Sequence, residues 1–145
     1  MQANNIMRAV LAGLVGTAAM TALMLMAPMM GMPKMPVGEM LGAFLGIGAA
    51  AGWAMHVMIG VVLATIYGLA VAARVPGAPA VRGAVYGIGV FLVAQLLVMP
   101  MMGAGVFSGG NIPMIMGSLM GHLVYGALVG AIYGRPEAAR APSHA

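Results

Sequence analysis

Residues 56–68, HVMIGVVLATIYG, return 66 positions later as residues 122–134, HLVYGALVGAIYG. His56, Gly60, Tyr67 and Gly68 thus correspond to His122, Gly126, Tyr133 and Gly134. Neither copy holds a charged residue, and each sits in an apolar run long enough to cross a bilayer, for which about 20 residues suffice. The likeness continues outward. Pro28-Met29-Met30-Gly31 precedes the first copy and Pro100-Met101-Met102-Gly103 the second, while Arg8 and Arg82 open the two halves. Three landmarks in the same order describe an internal repeat, the first half carrying six extra residues between its PMMG turn and its histidine.

The few charges mark where the membrane is. None falls between Arg8 and Lys34, between Glu39 and Arg74, or between Arg82 and Arg135. The first run predicts a helix over roughly 8–30. The second predicts one over roughly 47–72, preceded by a short apolar segment, residues 40–45, expected at the interface. The third run is long enough for two, roughly 82–102 and 114–134, parted by the turn-forming residues Gly105, Ser108, Gly109, Gly110 and Asn111. The fold class expected is an all-α membrane protein. Its four transmembrane helices form two helical-hairpin repeats of the same orientation, related by an axis along the membrane normal. The divisions are residues 1–73, 74–134 and a short tail, 135–145, which holds His144 and carries no expected role. The first helix is read as a span and not a cleaved signal peptide, because it has a counterpart later in the chain.

Composition agrees. Of 145 residues, 63% are hydrophobic and 6% charged, and the mean hydropathy is +1.05. Soluble domains carry about 25% charged residues, so a soluble protein is excluded. With no cysteine, disulfides, thiol nucleophiles and cysteine-held metals are excluded too. The arginines at 8, 74, 82, 135 and 140 fall on one side of a four-span topology and Lys34 on the other, which places both termini in the cytoplasm. The net charge of +4 belongs to that topology and to anionic lipid, not to nucleic acid. Glu39 and Glu137 are the acidic residues, and there is no aspartate. Paired-carboxylate catalysis, a Ser–His–Asp triad and a phosphate-binding loop all lack their parts, so no enzyme is expected.

Small residues recur at four-residue steps: Gly52, His56, Gly60, Ala64 and Gly68 in the second span, Ser118, His122, Gly126, Gly130 and Gly134 in the fourth. Gly13, Gly16 and Thr17 mark the first span, and Gly83, Gly87 and Gly89 the third. Such positions let helix backbones approach where no hydrophobic force drives them together, and a compact four-helix bundle is expected. Trp53, Tyr67 and Tyr133 read as interfacial anchors.

A histidine at mid-depth is costly and should face the bundle interior. Hydroxyl or amide groups at Thr17, Thr21, Gln95 or Ser118 would satisfy it structurally. The sharper reading makes His56 and His122 axial ligands of a b-type haem, with Gly60 and Gly126 leaving room for the macrocycle. Of eighteen methionines, thirteen surround the two loops opposite the arginines, seven between Met24 and Met40 and six between Met99 and Met120. Thioethers select Cu(I), which makes Met29, Met30, Met101 and Met102 candidate copper ligands, whereas methionine as an adaptable apolar filler needs no metal.

Two resemblances rest on these residues. Histidine on the second and fourth spans with glycine-rich first and third spans is similar to the haem-binding bundle of cytochrome b. That bundle has two histidines per ligand helix where this chain has one, and no arginine lies near mid-depth to meet propionates. Gly38-Glu39-Met40-Leu41-Gly42, the histidine–glycine–tyrosine repeat and the PMMG turns resemble the small, uncharacterised four-span families of the bacterial inner membrane. That resemblance implies a fold and a location but no activity. The function expected is a non-enzymatic accessory or assembly subunit, in contact with lipid and with other membrane subunits of a larger complex. The alternatives are a one-haem electron-transfer module and Cu(I) handling.

Overall fold

The computed structural model describes residues 3–134; the tail at 135–145 lies outside the described residues. Four helices are long and apolar enough to cross a membrane, over Asn4–Met30, Gly48–Val71, Pro79–Met101 and Ile112–Tyr133, as befits a multi-pass membrane protein. The elements are α1 (Ala3–Met26), α2 (Val37–Leu45), α3 (Gly48–Ile66), α4 (Pro79–Val93), the short α5 (Met99–Met101) and α6 (Ile112–Tyr133). A π-helical turn, Tyr67–Val71, continues α3, and another, Ala94–Val98, joins α4 to α5.

Glycine decides which helices touch. Gly13 of α1 lies against Gly60 and Val61 of α3, and Gly60 in turn meets Thr17. Gly83 and Gly87 of α4 interlock with Gly126, Gly130 and the His122 carbonyl of α6. Gly16 lets α1 rest on Tyr125 and Val129 of α6. The order across the bundle is α3–α1–α6–α4, with α1 and α6 central. The expected compact bundle closes on three sides only. Along their length α3 and α4 barely meet, joined near one end by Tyr86, whose hydroxyl donates to the Leu63 carbonyl (2.8 Å).

The segment expected at the interface belongs to a helix packed on the start of α3. Gly38 and Gly42 of α2 pack against Gly48, Gly52 and Trp53, so α2 forms a tight hairpin with the start of α3. The physical reason is the glycine pair: with no side chains between them, the two backbones close on one another. The PMMG turns end alike, Gly31 and Gly103 taking φ values of 80° and 81°. Each amide donates to its turn's proline carbonyl (3.1 and 3.0 Å). A left-handed cap of this kind favours glycine.

At the opposite end the basic residues hold backbone carbonyls. Arg74 donates to Leu69 (2.6 Å) and Ala70 (3.1 Å), satisfying the end of α3. Arg82 is buried and donates to the carbonyls of Ala72 and Val75. The anchor reading of Tyr67 and Tyr133 is corrected here. Tyr67 is 0% and Tyr133 2% exposed, and their rings pack edge to face at 5.9 Å. Gly68, over which Tyr133 lies, makes the space that draws both rings inward.

Candidate functional site

The missing contact between α3 and α4 leaves a cavity of about 360 Å³ among α1, α2, α3, α4 and α6. That volume is in the range of small-molecule sites. Its floor is built by two tyrosines that reach across to α3. Tyr125 donates to the Gly60 carbonyl (2.6 Å) and Tyr86 to that of Leu63. At the other end, α2 and the loop holding Ser108 lie over it. The side between Ile59 and Leu63 on α3 and Val90 and Val93 on α4 has no helix across it.

A chain of polar groups runs along the α4–α6 wall. Ser108 donates to Gln95 Oε1 (3.0 Å), and Gln95 Nε2 donates to Ser118 Oγ (3.0 Å). The Ala94–Val98 π turn carries Gln95, which is 0% exposed. Phe107 and Ser108 both take positive φ, 47° and 52°. Backbone of that kind costs about 1–3 kcal/mol per residue. The Gln95 hydrogen bond and the Phe91–Phe107 contact (6.3 Å) hold it in place.

His122 stands ten residues into α6, about 15 Å at 1.5 Å per residue. Its Nδ1 lies 2.7 Å from the Ser118 carbonyl. A carbonyl only accepts, so Nδ1 carries the proton and the neutral ring leaves Nε2 as an acceptor. Fixing one imidazole nitrogen to free the other is how ligand histidines are oriented. His56 lines the same cavity from α3, stacked edge to face on Trp53 at 6.0 Å. Of the residues lining the cavity, His56 and Thr17 have side-chain atoms, Nε2 and Oγ1, that are buried without a hydrogen-bond partner.

The candidate residues read from the sequence separate here. His56, His122, Gly60 and Met102 line the cavity. Gly126 does not, because the space beside it is filled by α4 at Gly83 and Gly87. Met29, Met30 and Met101 are 86%, 79% and 66% exposed and enclose nothing. A second set, Met20, Met24, Met35, Met40, Met99 and Met114, joins Met102 on the cavity wall. Gln95 offered a signal, being a lone amide in a span, whereas Ser108 and the floor tyrosines offered none.

These residues suit a neutral occupant better than a haem. Two imidazoles are present, but no lysine or arginine lines the cavity to meet propionates. Nor does any group of three or more histidine, cysteine, aspartate or glutamate side chains gather among the described residues to hold a metal.

A family model matches residues 3–144, spanning every element just described. The chain belongs to DUF6789, a family of unknown function. No curated protein and no solved structure matches it. The membrane bundle and its cavity are therefore the ground on which a DUF6789 function has to be argued.

Proposed function

We propose that this protein is a non-enzymatic accessory subunit of a larger complex in the bacterial inner membrane, and that it holds a neutral, lipid-soluble molecule between α3 and α4. The supporting observation is the cavity itself. It lies within the apolar spans, no charged side chain lines it, and its open side faces where lipid or a neighbouring subunit would lie. Both termini are cytoplasmic in this reading, with Arg8, Arg74 and Arg82 at that end and Lys34 at the other.

Two same-orientation repeats account for the opening. Gly13 against Gly60 corresponds, by the spacing of the sequence repeat, to Gly87 against Gly126. The α1–α6 contact of Gly16 with Tyr125 and Val129 should then have its counterpart between α4 and α3. The counterparts are Val90, Ile59 and Leu63, all of which line the cavity. Where glycine lets α1 settle onto α6, the branched side chain of Val90 props α4 away from α3. In this reading the difference between Gly16 and Val90 leaves the space.

The accessory role is tested on native gels of gently solubilised membranes. The protein is expected to migrate with other subunits, far above its own 14.6 kDa. Migration of the intact chain alone contradicts that role.

A further inference from the structure

We infer that the occupant is a lipid-soluble quinol or its quinone, whose ring enters between α3 and α4, one oxygen pairing with His56 and, in the quinol, a hydroxyl donating to His122. This deepens the proposed binding role and rests on it. Four observations point to that chemistry.

The first is hydrogen-bonding demand inside an apolar space. His122 Nε2 is left as an acceptor by the Nδ1–Ser118 hydrogen bond, and His56 Nε2 is buried with no partner. A buried polar group without a partner is destabilising; a quinol hydroxyl would donate to His122 Nε2, and a quinol hydroxyl or quinone carbonyl would pair with His56 Nε2 according to its tautomer. The second is neutrality: no lysine, arginine, aspartate or glutamate lines the cavity, so a carboxylate, phosphate or ammonium head would be desolvated without a counter-charge. The third is the wall of seven methionines. Thioethers gain from contact with aromatic rings and adapt to a flat body better than branched side chains do. The fourth is the way in. The cavity opens sideways through the apolar edges of α3 and α4, while Tyr86 and Tyr125 close it at one end and α2 with the Ser108 loop at the other. A molecule dissolved in the bilayer can use that route. A quinol ring carries two oxygens, neutral character and a membrane-soluble tail together.

Trp53, the chain's single tryptophan, is the reporter, because it stacks on His56 and quinones quench indole emission. The protein in lipid nanodiscs is titrated with a decyl-tailed benzoquinone. Saturable quenching is expected on top of the linear collisional part. In His56→Leu/His122→Leu the saturable phase should vanish or its midpoint rise at least tenfold. Val90→Phe, which fills the gap without touching either histidine, should abolish the phase too and decides the matter if the histidine variant does not fold. Linear quenching alone in the unsubstituted protein overturns the quinone assignment, as does a saturable phase untouched in Val90→Phe. A brominated decane run in parallel separates the two levels. Saturation by the alkane but not the quinone leaves the cavity standing and sinks the ring; saturation by neither sinks both.

Discussion

Gly83→Leu is expected to unfold the α4–α6 pair and with it the protein. A Cβ at Gly83 would run into the Gly126 carbonyl and the backbone of Gly130. The reverse also holds, since side chains at Gly126 or Gly130 would strike Gly83, Gly87 or Pro79. Backbone on both sides cannot move aside as a flexible side chain can. Overpacking a core typically costs about 1–3 kcal/mol and occasionally more; with two backbones in register this site belongs at the upper end. Against a total stability of about 5–15 kcal/mol, detergent or denaturant titration followed by circular dichroism should show a large loss. Gly89 is the internal control. A Cβ there meets nothing within 4 Å, so Gly89→Ala should be neutral or stabilising by up to about 1 kcal/mol. Equal losses at Gly83 and Gly89 would mean that the α4–α6 interface is not built as described.

Gln95→Leu should give the second large effect, through two hydroxyls at once. Ser108 would lose its acceptor and Ser118 its donor, each orphaned group costing roughly 1–3 kcal/mol. Ser108 also sits in left-handed backbone that the hydrogen bond helps to hold. The expected result is lower thermal stability together with faster amide exchange in residues 103–110. Removing every partner together is different, because apolar replacement of a whole hydrogen-bonded set can be nearly neutral. Ser108→Ala/Gln95→Leu/Ser118→Ala should therefore be more stable than Gln95→Leu alone. A triple variant less stable than the single one would show that the chain of hydrogen bonds does not act as a unit.

The spans were legible because charge and turn residues bound them. Arg8, Lys34, Arg74, Arg82 and the Gly103–Pro113 stretch bracket the helices to within a few residues. Most of the glycine faces followed from helical spacing, Gly89 excepted, which meets nothing within 4 Å. What the sequence hid were faces and absences. Tyr67 and Tyr133 look like surface anchors because tyrosine is common there; only the space over Gly68 shows that they turn inward. Gly60 and Gly126 occupy matching positions, yet one borders the cavity and the other is filled by α4. A chain apolar on every face gives no periodicity to tell lipid from neighbour. The opening between α3 and α4, bordered by Val90, is visible only once the helices are packed.

Cysteine pairs test that opening directly in native membranes, since the chain has no cysteine of its own. Gly16→Cys/Val129→Cys spans the α1–α6 contact, where a Cβ on Gly16 would lie 3.1 Å from the Val129 side chain. Ile59→Cys/Val90→Cys spans the gap. A disulfide needs Cα atoms about 4.4–6.8 Å apart. Under mild oxidation the first pair is expected to close readily and the second to remain reduced. Rapid, complete closure between Ile59→Cys and Val90→Cys would mean that α3 and α4 pack together and that there is no cavity for any ligand to fill.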